Sequence, residues 1–300
     1  MTKTGRGGLK EYLAAQVQAV DQVLDRWVPA EAVEPVSIHK AMRYSLFAGG
    51  KRIRPILAIA AAGAVSDSPV GVENAAATLE LIHTYSLIHD DLPALDNDDL
   101  RRGRPTCHKV FGEAMAILAG DALLTLAFEV LSRLPLAGAD QQIRMVEELS
   151  RAAGTVGGMI GGQVHDIEGE RKPPSAVLLE AIHRAKTGAL LRASVRIGGI
   201  YAGATEQELA ALSEFGEHVG LAFQIVDDVL DVEESSEALG KTAGKDQAQQ
   251  KITFPAVYGL KRSREMAEEE RGAAHLALRI FDDRAEPLRE IADYIVHRRA

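Results

Sequence analysis

The chain of 300 residues is long enough for one large domain or two ordinary ones, and 46% hydrophobic against 26% charged residues supplies a sizeable core. A net charge of −9, from 34 Lys and Arg against 43 Asp and Glu, argues against a nucleic-acid partner, which needs a basic surface, but leaves room for small phosphorylated substrates. The single cysteine, Cys107, excludes an intrachain disulfide and a cysteine-built metal site, and fits a reducing compartment.

In chain order, Met1 to Lys10 is polar and basic, without the apolar stretch of a secretory signal. No continuous run of about 18 apolar residues follows, so a cytoplasmic protein without stable membrane insertion is expected. Apolar residues then recur every three or four positions, and aromatics are only 5%. This predicts helices over Leu9–Trp27, Ile38–Ser45, Ile53–Ala64, Val72–His89, Phe111–Arg133, Gln141–Asp166 and Ser175–Tyr201. Further helices are predicted over Glu206–Val232, Gln247–Tyr258, Ser263–Leu278 and Glu286–Arg298. Gly, Pro and Asp clusters separate them, no alternating strand pattern competes, and neither a linker nor a fixed-period repeat stands out. The expectation is an all-α fold in a single domain, residues 1–300.

Two acidic clusters carry the chemical signal. After the apolar helix ending at Ile88 come Asp90, Asp91, Asp96, Asp98 and Asp99, with Pro93 expected to stop the helix. Carboxylates at a helix C-terminus and this close together need a cation among them. The second cluster, Asp227-Asp228-Val229-Leu230-Asp231, lies within an apolar helical pattern, with Asp227 and Asp231 on one face. Either alone reads equally as a solvated charge run. Two such clusters, oxygen-only, point to a hard cation such as Mg²⁺ completed by phosphate.

Matching cations are present. Gly49-Gly50-Lys51-Arg52-Ile53-Arg54 places Lys51 and Arg54 at a glycine turn opening a helix, a phosphate cradle or only a turn. Arg101, Arg102 and Arg104 follow the first cluster, as a surface salt-bridge patch or as the other half of a metal–diphosphate site. Lys186-Thr187-Gly188 interrupts an apolar helix, and Lys241 follows the second cluster. His83 on the helix before Asp90 is, by itself, more often a core residue than a ligand. His89 beside Asp90 invites a His-Asp phosphohydrolase reading, but no further spaced metal-binding histidines accompany it.

Taken together these segments resemble the trans-isoprenyl diphosphate synthase family. "LIHTYSLIHDDLPALDNDDLRRGRPTCHKVFGEAMAILAGDALL" from Leu81 resembles its first aspartate-rich region and "FQIVDDVLD" from Phe223 its second. "GGKRIRP" from Gly49, "GGQVHDIEGE" from Gly161 and "KTGALL" from Lys186 match in the family's order, so the likeness spans essentially the whole chain. The resemblance implies a bundle of about ten or more helices around a deep central cavity, usually as a homodimer. It implies three Mg²⁺ ions with substrate bound: Asp90 and Asp96 on one wall with Asp91 in support, and Asp227 on the facing wall with Asp228 and Asp231. It also implies that Arg101, Lys186 and Lys241 contact an allylic diphosphate, that Lys51, Arg54, His83 and Arg102 bind isopentenyl diphosphate, and that Thr187 and Gln224 lie near the reacting carbons.

Product length depends on what blocks the cavity below Asp90. Tyr85 and Ser86 lie five and four residues earlier, roughly 6–8 Å down the helix. Tyr85 reads either as the floor or as ordinary core. An aromatic here, with the longer DDxxxxD spacing, is similar to bacterial farnesyl (C15) synthases, which sets the expected product. A geranylgeranyl (C20) synthase is the alternative within the family, and a non-catalytic partner subunit the alternative outside catalysis. A class I terpene cyclase would share the first aspartate motif but need no second diphosphate site.

Overall fold

The computed structural model describes residues 8–67, 69–134, 137–170, 173, 175–233 and 252–298. Almost all of the regular structure is helical. It opens with α1 (Leu9–Trp27), α2 (Val36–Leu46), α3 (Ile53–Val65) and α4 (Val72–Asp90). After the first acidic cluster come α5 (Cys107–Phe111), α6 (Glu113–Ser132), α7 (Ala139–Ala153), α8 (Met159–Gly169) and α9 (Ala176–His183). A π-helical turn (Arg184–Gly188) leads into α10 (Ala189–Tyr201), and α11 (Glu206–Glu233) carries the second cluster. The chain finishes with α12 (Phe254–Tyr258), α13 (Leu260–Ala277), two 3₁₀ turns and α14 (Glu286–His297).

Helices α3 and α4 are apolar nearly all round and are accordingly enclosed. α4 packs against α1, α2, α3, α6 and α10, and α10 in turn against α3, α7 and α11. These contacts form one large apolar cluster around α4 and α6, a second between α3, α11 and α14, and a smaller third beside the C-terminal half of α11. The third lies directly under the second acidic cluster, with Leu221, Ile225, Val226 and Val229 alternating with the aspartates.

The departures from the expected elements have local causes. Gly112, at φ +84°, cuts the expected Phe111–Arg133 helix into α5 and α6. The glycines at 154, 157 and 158 divide Gln141–Asp166 into α7 and α8. The Ser175–Tyr201 helix runs through, but with its middle wound as the π turn. A minimal hairpin, β1 (Leu100–Arg101) with β2 (Arg104–Pro105), turns on Arg102 and Gly103, both at positive φ as a type I′ turn requires. An Arg-Gly pair is a weak hairpin signal, and two-residue strands show no alternation. α6, by length and hydropathy (1.8), is apolar enough to cross a bilayer, but it packs on α2, α4, α5 and α7 as a bundle helix.

Candidate active site

The first wall is the C-terminus of α4. The helix ends at Asp90, and the chain folds back on itself: Asp96 N–H donates to Asp90 O (2.8 Å), Asn97 N–H to Leu92 O (3.1 Å) and Asp98 N–H to Asp91 O (3.1 Å). Burial pushes the Asp90 carboxyl up to about 6; Asp96 and Asp91 push the same way, while Lys186 and Arg101 oppose. Burial disfavours the charged form of this carboxyl, and a cation bound beside it would favour that form. Asp91 is buried and grips Arg101, whose Nε donates to both oxygens (2.8 and 3.0 Å) and whose Nη2 donates to Oδ1 (2.6 Å). This two-pronged pair fixes the guanidinium plane. Asp98 stands 3.9 Å from Arg101, and the exposed Asp99 pairs with Lys109.

Beside this wall lies a basic corner. Arg52 caps α3 from a left-handed conformation (φ 49°) and turns inward, donating to Glu80 (2.7 Å), Asp21 (2.9 Å) and Leu46 O (2.8 Å). With Arg52 pinned, Arg54 is left for the site. Burial lowers its pKa, Glu80 and Asp227 oppose, and Arg102 adds to the lowering; its Nε is buried without a hydrogen-bond partner. Arg102, from the hairpin turn, donates to Gly49 O and so joins the Gly49-Gly50 turn to the first cluster. His83 sits behind them, held well below the imidazole range by burial and then by Arg54 and Arg102, and is therefore neutral near pH 7. Lys51 is exposed at the rim. Buried guanidinium charge facing like charge is a place for an anion.

The second wall combines the π turn with α11. Single π turns recur at functional sites because they re-aim side chains. Here the turn projects Lys186, which donates to Asp166 of α8 (2.6 Å) and lies near enough to Asp90 to lower its pKa. Thr187 donates to Gln224 (2.9 Å). Two glycines let the turn be gripped: a Cβ at Gly162 would stand 2.2 Å from Lys186 N, and one at Gly220 would stand 2.9 Å from Gly188 Cα. Asp227, at 44% side-chain exposure, pairs with Arg298, whose guanidinium also lies 4.2 Å over the Phe223 ring. Asp231 is half-buried one turn on, and Asp228 is buried.

The expected residues therefore divide. Asp90 is within electrostatic reach of Asp91, Asp96, Arg101 and Lys186, His83 of Arg54, Arg101 and Arg102, and Arg54 of Arg102 and Asp227, so these residues form one linked set. Thr187 and Gln224 are directly bonded. Lys241 falls outside the described residues. Tyr85 is 6% exposed, its hydroxyl has no hydrogen-bond partner, and its ring meets His89 edge-on at 5.8 Å. Ser86 bonds back to His83 O (2.8 Å). His89 faces α6, its Nε2 donating to Ile117 O (3.0 Å), which disposes of the His-Asp hydrolase reading. Asp166 and His183 also belong to the site, with no individual role legible in the sequence. The C-terminal tail bearing Arg298 reads from sequence equally as a closure of the site or as a solvated basic end, and Arg298 lies against Asp227. Among the described residues no three His, Cys, Asp or Glu side chains form a ready metal cage. Carboxylates on two walls with a basic corner suit Mg²⁺, which takes one or two carboxylates and completes its shell from substrate phosphates.

An all-α bundle here carries two aspartate-rich segments and a buried basic corner, residue types that suit a hard cation and an anion. Residues 35–285 match the polyprenyl synthetase family profile. The chain is 49% identical to geranylgeranyl pyrophosphate synthase 9, chloroplastic, of Arabidopsis thaliana over 295 residues, 96% of this chain and 81% of that one. It is also 49% identical to the large subunit 1 of a heterodimeric geranylgeranyl pyrophosphate synthase of that plant, over 96% of this chain and 78% of the relative. Among solved structures, an FPP/GFPP synthase from Zymomonas mobilis superposes with a TM-score of 0.85 at 34% identity, over 96% and 98% of the two chains. The chain belongs to the polyprenyl synthetase family, the trans-isoprenyl diphosphate synthases, and is a trans-prenyltransferase.

Proposed function

We propose that the chain joins isopentenyl diphosphate head-to-tail to an allylic diphosphate, with release of diphosphate, and makes a short all-trans product. The observation that supports this reading is the basic corner: buried Arg54 is within electrostatic reach of Asp227 and Arg102, His83 beside it also feels Arg101, and Arg101 with Lys186 reaches Asp90. Asp90 and Asp96 would hold Mg²⁺ from one wall and Asp227, with Asp231, from the other. Bound Mg²⁺ would supply the positive charge that stabilises the departing diphosphate. Lys186 and Arg101 add fixed cations to that leaving group. Arg54, Arg102, Lys51 and His83 hold isopentenyl diphosphate with its double bond toward Thr187 and Gln224, so that positioning supplies much of the rate. The released diphosphate is the base that takes the final proton.

For product length, the names of relatives similar over almost the whole chain favour C20. One side chain favours C15: Tyr85, buried one turn and a half below Asp90. The C20 reading has the broader support. Incubation with isopentenyl and dimethylallyl diphosphates, with and without Mg²⁺, followed by chain-length analysis, tests both. A metal-dependent C20 product sinks the Tyr85 floor; a C15 product that lengthens in Tyr85→Ala establishes it; absence of condensation with any allylic primer refutes the enzymatic reading.

A homodimer is part of the proposal. Ile117 and Leu118 leave an apolar face on α6 exposed, at 44% and 51%, which a second copy would cover. Sedimentation that finds only monomers at micromolar concentration would exclude it. The cytoplasmic setting is likewise proposed.

A further inference from the structure

The helix that carries the second acidic cluster splits it. Asp227 is half exposed, whereas Asp228 keeps only 4% of its side-chain surface. Both Asp228 oxygens are engaged on the inner side. Gln224 Nε2 donates to Oδ1 (3.0 Å), and the backbone N–H of Phe254, 26 residues along the chain, donates to Oδ2 (2.9 Å). His183, buried and stacked on Phe254 with ring centroids 5.3 Å apart, brings its Nε2 to 3.4 Å from Oδ2.

A carboxylate offers acceptors only, so Gln224 must turn its NH₂ toward Asp228 and its carbonyl oxygen away. That carbonyl oxygen accepts the Thr187 hydroxyl proton at 2.9 Å. The chain of bonds Thr187 to Gln224 to Asp228 therefore has one direction. With its proton committed, the Thr187 oxygen presents lone pairs to whatever lies beyond it. We propose, on the prenyl-transfer reading above, that Asp228 is a positioning residue and not a metal ligand: it sets the donor–acceptor polarity of the Thr187–Gln224 pair, so that the site receives oxygen lone pairs rather than an O–H or N–H.

The same contact holds the frame. Asp228 ties α11 to the start of α12, while Thr187 ties α11 to the π turn that carries Lys186. The contacts of Asp228 with Gln224, the Phe254 N–H and His183 include none of the cations assigned to the diphosphates, so a loss of its charge is felt first at Thr187 and Gln224.

The test compares Asp228→Asn with Asp227→Asn in steady-state kinetics at varied Mg²⁺. Asparagine at 228 can donate as well as accept, so the Gln224 amide is free to reverse. The expected result is a kcat lowered about tenfold, the scale of one oriented hydrogen bond, with an unchanged Mg²⁺ concentration for half-maximal rate and an unchanged KM for isopentenyl diphosphate. Asp227→Asn should instead raise the Mg²⁺ requirement. Thr187→Val should lose as much kcat as Asp228→Asn, Thr187→Ser should keep it, and the double variant Asp228→Asn/Thr187→Val should be no worse than either alone. An Mg²⁺ requirement raised equally by Asp228→Asn and Asp227→Asn overturns the proposal, as does wild-type kcat in Thr187→Val, which needs no folded Asp228 variant. A wild-type chain that transfers no prenyl group under any condition would overturn the underlying reading instead.

Discussion

The two acidic clusters reach a similar arrangement by different routes. The first is a helix end and a folded-back loop, held by three backbone hydrogen bonds from Asp96, Asn97 and Asp98. The second lies inside α11, where the helix itself sets the spacing of Asp227, Asp228 and Asp231. In both, the second aspartate of the adjacent pair is withdrawn from the surface and bonded: Asp91 by Arg101, Asp228 by Gln224 and the Phe254 amide. The first aspartate, Asp90 or Asp227, keeps partial exposure, Asp227 while paired with Arg298. What looks in sequence like a run of equivalent carboxylates is thus a pair with one outward and one inward member, and the inward member sets the frame.

The widest break in that comparison would come from the outward pair. Asp90→Asn and Asp227→Asn should each lower kcat by roughly 10²–10³, as removal of a group that stabilises developing charge does. Equal turnover in either variant, measured with saturating substrates and Mg²⁺, would show that the outward carboxylates do not hold the metal. The inward member is sharpened by Asp91→Asn. Replacing a charge-assisted, two-pronged partner of Arg101 should destabilise the fold by about 1.5–3 kcal/mol, read by denaturant unfolding without metal. A stability unchanged from wild type would mean that the first cluster has no inward member in the energetic sense.

The smallest effect lies midway along α11. His218 is bonded to Glu270 of α13, which raises its pKa, while burial opposes. A folded-state pKa above the unfolded value means that the stabilisation is complete at pH below the ordinary imidazole range and is lost as pH rises through the raised value. The side chains are 28% and 22% exposed, so solvent screens the pair in part and about 1 kcal/mol at most is expected. Glu270→Gln should flatten this part of the stability profile between about pH 6 and 8. A profile identical to wild type would exclude the contribution.

Most of the helices are legible because their cause is local: apolar residues at helical spacing and Gly or Pro breaks. Pro93 stops α4 where expected, and the Gly49-Gly50 turn opens α3 at Ile53. The acidic residues and the basic residues around Arg54 are legible as types for the same reason. What is not legible depends on contacts far apart in sequence. Nothing near Asp228 says that Phe254 N–H will meet it, nor does anything near Arg52 announce Glu80 and Asp21. Lys186-Thr187-Gly188 interrupts the apolar pattern in sequence, but nothing local says that the interruption is wound as a π turn, closely approached by Gly162 of α8 and Gly220 of α11. Arg298 is a basic residue in a tail until it is seen against Asp227 and Phe223.

The edge-on contact of Tyr85 with His89, and of His89 with the α6 backbone, places Tyr85 on the α4–α6 side, whereas Lys186, Thr187 and Gln224 belong to the π turn and α11. On the proposed reading, a substitution at Tyr85 reshapes the space beside α6 without entering the Thr187–Gln224–Asp228 chain of bonds, so pocket shape and the reacting end are separate targets of mutation.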